Sequence, residues 1–357
     1  MRALATIRMI EAINPIENAD AIDVASIGGW NVVVKKGTHI VNELVVYFEI
    51  DSFIPEHLAP FLNTGSPAKE FEGVVGYRLR TKKLRGVVSQ GLILPISDCV
   101  IAIDGISEYD LHEGDDVTEL LNVKKYEKPV NANLTGMARG NFPSFIPKTD
   151  QERIQNLKRD LNEWNDGLYQ FEVTEKADGS SCTIYRNDRL IEDDKDAIGV
   201  CSRNLDLKET EGNTFWQVAR NGIIQALERC GMNLAIQGEV IGPGVQGNQY
   251  KLLKPKFLVF DIYDIENCRY YDAFERDAFC QVFKLEHMPV IHKNLLLALS
   301  NDDKPATVEF LLTMADGESK LNASGNSPRE GLVFKCLSAP SISFKAVSNK
   351  WLLKYEE

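Results

Sequence analysis

The 357-residue chain has no apolar run close to the roughly 20 residues that a bilayer-crossing helix requires. No membrane-spanning segment is predicted, and membrane partners are not expected. Its opening stretch carries Glu11 and Glu17 where a signal peptide would keep an unbroken apolar core. A cytoplasmic or other intracellular location fits. Cysteine patterning is also missing. The seven cysteines, Cys99, Cys182, Cys201, Cys230, Cys268, Cys280 and Cys336, form no CxxC pair and are odd in number. That argues against a disulfide framework or a zinc site and for buried reduced thiols. The five histidines form no recognisable constellation, and neither an internal repeat nor a low-complexity tract is present. An excess of basic charge is lacking as well. The formal net charge of −12 excludes a uniformly basic surface for bulk nucleic-acid binding.

A local basic groove remains compatible with that total, because phosphates respond to the charges nearest their track. One such concentration exists. Between Phe71 and Gln90 lie Arg78, Arg80, Lys82, Lys83 and Arg85, with Glu72 the only acid. It reads either as a nucleic-acid contact or as a solvated face.

The length favours two domains. Residues 1–126 read as all-β. The stretches 30–37 and 43–50 are rich in β-branched and aromatic residues and bounded by turn formers, Tyr77 to Leu84 alternates loosely, and 91–96 is a further short strand. Several short strands in this span suggest a small barrel, similar in pattern to an OB-fold. Residues 127–150 contain Pro129, Pro143, Pro147, Gly136 and Gly140, which suits a linker or an ordered crossing segment. From 151 to 357 strands and helices mix. Strands are predicted from Tyr169 to Thr174, Lys256 to Ile262, Gly331 to Cys336 and Ser341 to Ala346. Helices are predicted from Asn213 to Arg229 and from Asp272 to Lys284. The fold class is α+β.

The strongest chemical signal is Glu175-Lys176-Ala177-Asp178-Gly179-Ser180-Ser181. Here a lysine stands where a strand runs out, with a carboxylate two positions on and then a glycine. A lysine amine is a nucleophile only when deprotonated, which burial and nearby cations favour. Asp178 is placed to orient the amine or a metal, and Gly179 lets the backbone approach a ligand. Alone, the same residues also make an ordinary surface turn.

Beyond this stretch the chain resembles the covalent nucleotidyltransferase superfamily of DNA ligases, RNA ligases and mRNA capping enzymes. Lys176-Ala-Asp-Gly179 resembles motif I and Ser202-Arg203-Asn204 motif Ia. Gly238-Glu239-Val-Ile-Gly-Pro-Gly244 resembles motif III, and Phe257-Leu-Val-Phe260-Asp261-Ile262 motif IIIa. Glu330-Gly331-Leu332-Val333-Phe334-Lys335 resembles motif IV and Ser343-Phe344-Lys345 motif V. They occur in the family's order. The run Gly238 to Gln246, the C-terminal SFKxxSNKWLLK and the junction Pro147 to Asn156 are similar to RNA ligases of the Deinococcus and Naegleria type. DNA ligases and capping enzymes place their OB-fold after the catalytic domain, whereas the β-rich stretch precedes it here.

This resemblance implies an N-terminal OB-like β-barrel and an ATP-grasp-like nucleotidyltransferase domain of antiparallel sheets and helices. It implies ATP with Mg²⁺ or Mn²⁺ as cofactors, and RNA or RNA/DNA duplex ends and nicks as partners. Lys176 would take AMP from ATP. Asp178, Glu239 and Glu330 would hold the metal, directly or through its waters. Lys335 and Lys345 would bind phosphate oxygens and Arg203 phosphate or ribose. Phe260 and Val333 would cover the two adenine faces, Glu175 would touch the adenine side and Arg153 the outer phosphates. Two departures stand out. Val347 occupies the place of a second motif V lysine, with Lys350 a substitute, and Ser181 stands where several relatives carry asparagine.

The activity so implied is RNA end joining through lysyl-AMP and an adenylylated 5′-phosphate. Two other readings stay open: a capping-type guanylyltransferase, and a non-catalytic OB-fold RNA-binding protein.

Overall fold

The computed structural model describes residues 2–65, 67–100, 107–127, 136–193, 196–322 and 327–355. It divides into two compact units, Met1–Pro129 with Leu352–Glu357, and Val130–Trp351.

The first unit is built from short antiparallel strands, as the β-branched runs require. Leu44–Phe48 lies between Ala5–Met9 and Leu92–Pro95. Ala12–Pro15, Ile22–Ile27 and Trp30–Lys35 form a meander. A third sheet runs in the order Lys124–Lys125, Ser52–Pro55, Val74–Arg78, Lys69–Phe71. Ile7, Val46, Phe48, Ile54 and Leu94 are buried in one apolar core. The basic segment is divided by its own turn chemistry. Lys82–Leu84 and Val87–Ser89 form a two-stranded hairpin whose loop, Arg85-Gly86, has φ of +46° and +87°. Positive φ at both loop residues matches the right-handed strand twist.

The second unit has two sheets. One has seven antiparallel strands in the order Ala138–Asn141, Leu205–Leu207, Ile198–Cys201, Ser180–Arg186, Leu234–Ile241, Lys256–Asp264, Arg269–Tyr270. The other has five, in the order Glu152–Arg153, Ser343–Val347, Gly331–Cys336, Gln170–Lys176, Val290–Leu296. Its first pair is parallel and the rest antiparallel. Phe215, Leu227 and Phe279 from helical segments pack on Ile184, Ile236 and Val259 of the larger sheet. Leu161, Trp164 and Leu311 pack on Phe171, Phe334 and Phe344 of the smaller.

Local signals explain the helices. Asn213 accepts from the backbone of Phe215 and Trp216, and Gly231 ends the segment in the left-handed region. The helix predicted as continuous over 213–229 breaks midway, however. Asn221 and Gly222 leave helical geometry, with Gly222 at φ +102°, so Thr214–Val218 and Ile224–Cys230 are separate pieces. Ala273–Phe283 starts with a capping box of Asp272 and Glu275. Within the stretch read as linker or crossing segment, residues 128–135 lie outside the described residues. Ala138–Asn141 is a sheet strand, and Phe142, Phe145 and Ile146 pack near Tyr185 and Tyr263.

Candidate active site

The five-stranded sheet sorts its side chains by alternation. Phe171, Val173, Leu332, Phe334, Phe344 and Ala346 go to the buried core. The alternate positions, Glu172, Thr174, Lys176, Val333, Lys335, Ser343 and Lys345, take the other face. Register aligns them: Lys176 opposes Gly331, Val333 lies between Thr174 and Lys345, and Lys345 lies beside Arg153. Lys176, Val333, Lys345 and Arg153 therefore share one face.

Across that face the larger sheet contributes Glu239, paired with Ser181 and Leu258. Gly179 is needed where the two sheets converge, since a Cβ there would lie 2.5 Å from the Val240 carbonyl oxygen. Glu330, just before its strand, brings Oε1 to 2.5 Å from Lys176 Nζ. Its Oε2 is buried with no hydrogen-bond partner among the described residues. Burial lowers the Lys176 pKa, but the charges of Glu330, Glu239 and Asp178 outweigh it and the net direction is upward. Burial, reinforced by Glu330 and Asp178 and opposed by Lys176, pushes Glu239 up to about 8.

A loop that the motifs did not single out fixes Asp178. Gln249 Nε2 donates to Asp178 Oδ2 at 2.7 Å, and the Asp178 backbone N–H donates to Tyr250 Oη at 2.7 Å. Tyr250 is itself buried with Ala177, Ile241, Leu258 and Met288. No periodic signal marks Gln249 or Tyr250 in the sequence, because irregular loop backbone carries them.

Other candidates fall differently. Phe260 sits in a bulge: Val259 pairs with Gly238 and Asp261 with Gln237, so Phe260 has no partner in the register. The Lys335 ammonium stands 5.7 Å from its ring centroid, donates to the Phe260 carbonyl at 2.9 Å and is bound by Asp261. Burial and Arg276 lower the Lys335 pKa against the pull of Asp261. Lys335 is thus tied into a buried charge network, in which Arg276 donates to both oxygens of Glu172 at 2.8 Å. The FDI run held the signal for Asp261; no motif pointed to Arg276.

Glu175 alternates away from Lys176. Its buried carboxylate accepts from Ser319 Oγ and from the Lys320 backbone N–H, so the structure does not bring it to the Lys176 face. Arg203, on the turn at 202–204, pairs with Asp150 at 2.6 Å, and its charge is felt by Glu239. Lys350 lies on the helix Asn349–Tyr355, 3.3 Å from Asp316, while Val347 is buried opposite Gly331. In the first unit, Arg78 stacks on Tyr126 at 4.5 Å and pairs with Asp51 at 3.0 Å. Arg80, Lys82, Lys83 and Arg85 are exposed. Among the described residues no helix is long and apolar enough to cross a membrane.

A strand-end lysine, three acidic residues around it and a β-rich unit ahead define a two-domain nucleotidyl-transfer class, and the comparisons carry it further. A model described as an OB-fold domain matches residues 4–96, and the RNA ligase model matches residues 169–352. The chain belongs to the RNA ligase family. It is similar to solved structures of Naegleria gruberi RNA ligase. A mutant with AMP and Mn is 42% identical, covering 99% of each chain, with a TM-score of 0.87. A mutant with ATP and Mn is 42% identical over 99% of each chain, with a TM-score of 0.86. The ligase with PPi is 43% identical over 100% of this chain and 99% of that one, with a TM-score of 0.86. No curated protein matches the chain.

Proposed function

We propose that the protein seals nicks in RNA duplexes, joining a 3′-hydroxyl to a 5′-phosphate through a lysyl-AMP intermediate. The observation that carries the reading is the placement of Lys176, 2.5 Å from Glu330, on the face shared with Val333, Lys345 and Arg153. The Naegleria structures with ATP, AMP and PPi fit a reaction that consumes the first and yields the others.

Three bond exchanges follow. Lys176 Nζ, having lost its proton, attacks the α-phosphorus of ATP; the N–P bond forms and pyrophosphate leaves. An oxygen of the RNA 5′-phosphate then attacks the AMP phosphorus, and the lysine nitrogen leaves. Last, the 3′-hydroxyl attacks the 5′-phosphorus, its proton is lost, and AMP departs. Such transfers depend on in-line placement and charge neutralisation. Lys345 and Arg153 supply positive charge on the Lys176 face, and Arg203 approaches from the opposite sheet. Val333 and Phe260 are the residues offered to the adenine.

The residues present fit a divalent cation. The buried Oε2 of Glu330 is an acceptor in need of a partner, and Glu239 feels the charges of Glu330 and Asp178. Among the described residues no three acidic, histidine or cysteine groups stand gathered as a ready ligand set. Asp178, Glu239 and Glu330 would hold the cation directly or through coordinated waters. When bound, Mg²⁺ or Mn²⁺ would supply positive charge that offsets the carboxylates around Lys176 and the phosphates of ATP.

The first test is incubation with α-labelled ATP or GTP and Mn²⁺, followed by denaturing electrophoresis. Adenylylation with ATP alone supports the reading, and guanylylation would replace it with the capping-type alternative. Duplexes with RNA or DNA on either side of the nick then test the substrate. Equal sealing of an all-DNA nick would remove the RNA preference.

A further inference from the structure

The loop that clamps Asp178 continues outward into a feature that nucleotide chemistry leaves unexplained. Its backbone is unusual: Gln246, Gly247, Asn248 and Lys251 all have positive φ, at +42°, +72°, +51° and +54°. Three of these are not glycine, and such geometry persists only where the surroundings fix it. The fixing contacts are present. Asn248 uses both ends of its amide on Leu252, donating to the carbonyl at 2.9 Å and accepting from the N–H at 3.0 Å. Leu252 packs with Ala177 and Tyr250, beside the nucleophile. Past Leu252 the chain turns out at a set place, and the next side chain, Leu253, is 96% exposed. It is flanked by the exposed lysines Lys251 and Lys254. A rigid loop that holds a leucine in water between two cations is poorly explained by folding alone.

We propose that residues 251–254 contact the RNA beside the joint: Leu253 packs against ribose and base edges of the duplex, and Lys251 and Lys254 engage its phosphates. Charge complementarity selects the occupant, since the protein as a whole is acidic at −12 and this tip is basic. The shape of the ligand fits as well. Duplex RNA offers a wide, shallow minor groove to an apolar side chain, while its major groove is too narrow to enter. Apolar side chains that pack against base steps are a known means of holding a helix in place. The loop base is tied to Asp178, so the tip meets the strand close to where the activated 5′-phosphate must sit. The inference rests on the RNA-sealing reading for its substrate, but RNA binding at this tip is measurable without sealing.

The test uses the full-length protein with Leu253→Ala, Leu253→Asp and Lys251→Ala/Lys254→Ala. Affinity for a labelled nicked RNA duplex is read by fluorescence anisotropy at several salt concentrations, beside lysyl-AMP formation and nick sealing. Lysyl-AMP formation should stay within twofold of wild type, because these side chains are exposed and none is among the residues assigned to the nucleotide. Leu253→Asp should weaken RNA binding by at least about tenfold, the lower end of what burying a leucine contributes. The double lysine variant should reduce the slope of log affinity against log salt by about 1 for each phosphate that its lysines neutralise in the wild type. Wild-type affinity and salt slope in all three variants would overturn the proposal. If the wild-type protein seals no RNA nick, the ligase reading fails, and the anisotropy data still decide whether this loop binds RNA. If instead lysyl-AMP formation falls with RNA affinity unchanged, the loop serves the nucleotide site and the RNA role is rejected.

Discussion

The ammonium of Lys176 lies 2.5 Å from Oε1 of Glu330, whose other oxygen is buried without a hydrogen-bond partner among the described residues. This pairing holds the nucleophile in place and also holds its proton, since the three acidic neighbours raise the lysine pKa. Two roles for Glu330 make opposite demands. If it only retained the proton, Glu330→Gln would speed adenylylation. If it also anchors the cation and the geometry, the variant should be slower by at least about tenfold at saturating ATP and Mn²⁺. The second outcome is expected in a labelled-ATP assay. Lys176→Ala and Lys176→Arg should give no adduct, because guanidinium does not deprotonate in proteins.

Glu239 offers a pH test that needs no catalysis. Its carboxyl is pushed by burial up to about 8, above its ordinary range. For a group whose folded pKa exceeds its unfolded one, the folded state binds the extra proton. The stability it contributes is present below the unfolded pKa and is lost as pH rises through the folded one. Without divalent cation, the Tm of Glu239→Gln minus that of wild type should therefore grow between about pH 5 and pH 8. A difference independent of pH would reject the raised pKa of Glu239.

Gln249 and Tyr250 should act through Asp178. Tyr250→Phe keeps the ring against Ala177, Ile241 and Leu258 but removes the partner of the half-buried Asp178 N–H, at about 1 kcal/mol. Gln249→Ala removes the donor to Asp178 Oδ2. A carboxylate displaced by about 1 Å can slow a step roughly a hundredfold. Both variants should lower the maximal rate of lysyl-AMP formation more than they raise the KM for ATP, with Gln249→Ala leaving the Tm near wild type. A KM effect alone would assign the loop to ATP binding.

How much of this was legible depends on the kind of residue. Lys176, Asp178, Glu239 and Glu330 stood in short motifs, Lys176, Asp178 and Glu330 at strand ends and Glu239 within the strand Leu234–Ile241. The structure brings them together as the order of motifs implied. Alternation along Gln170–Lys176 could have shown that Glu175 faces away from its neighbour Lys176, yet the motif drew both into one site. Phe260 depends on a bulge, and the break at Asn221-Gly222 on local backbone that helix periodicity hides. The partnerships Gln249–Asp178, Lys335–Asp261 and Arg276–Glu172 join residues remote in sequence, so no local pattern records them.

Arg276 shows what such a partnership contributes. It is buried and donates to both oxygens of an equally buried Glu172, on the strand that ends at Lys176. Removing one member leaves the other charge uncompensated, which destabilises by about 3–5 kcal/mol. Arg276→Ala should lower the denaturation midpoint sharply, whereas the exposed pair Lys256–Glu286 should contribute about 1 kcal/mol at most when Lys256 is replaced. Equal effects in urea titrations would show that the buried network is not what supports this strand.

The basic segment of the first unit divides into two kinds of cation, and their variants should separate. Arg78 stacks on Tyr126, which itself lies against Phe53 and Phe71, and it pairs with Asp51. These interactions give it a structural task, so Arg78→Ala should lower the Tm and affect RNA binding only through that destabilisation. Lys82, Lys83 and Arg85 ride on a hairpin whose two-residue loop holds Arg85 and Gly86 at positive φ, which fixes where these charges project. Changing the three to alanine disturbs no buried packing and should leave the Tm within about 1 °C, as exposed substitutions usually do. The same triple variant should bind nicked RNA less tightly at every salt concentration, and its salt slope should fall by up to about 3, one for each phosphate that a cation no longer neutralises. Lysyl-AMP formation should not change, since the motif residues all lie in the second unit. An unchanged salt slope would mean that these cations are a solvated face.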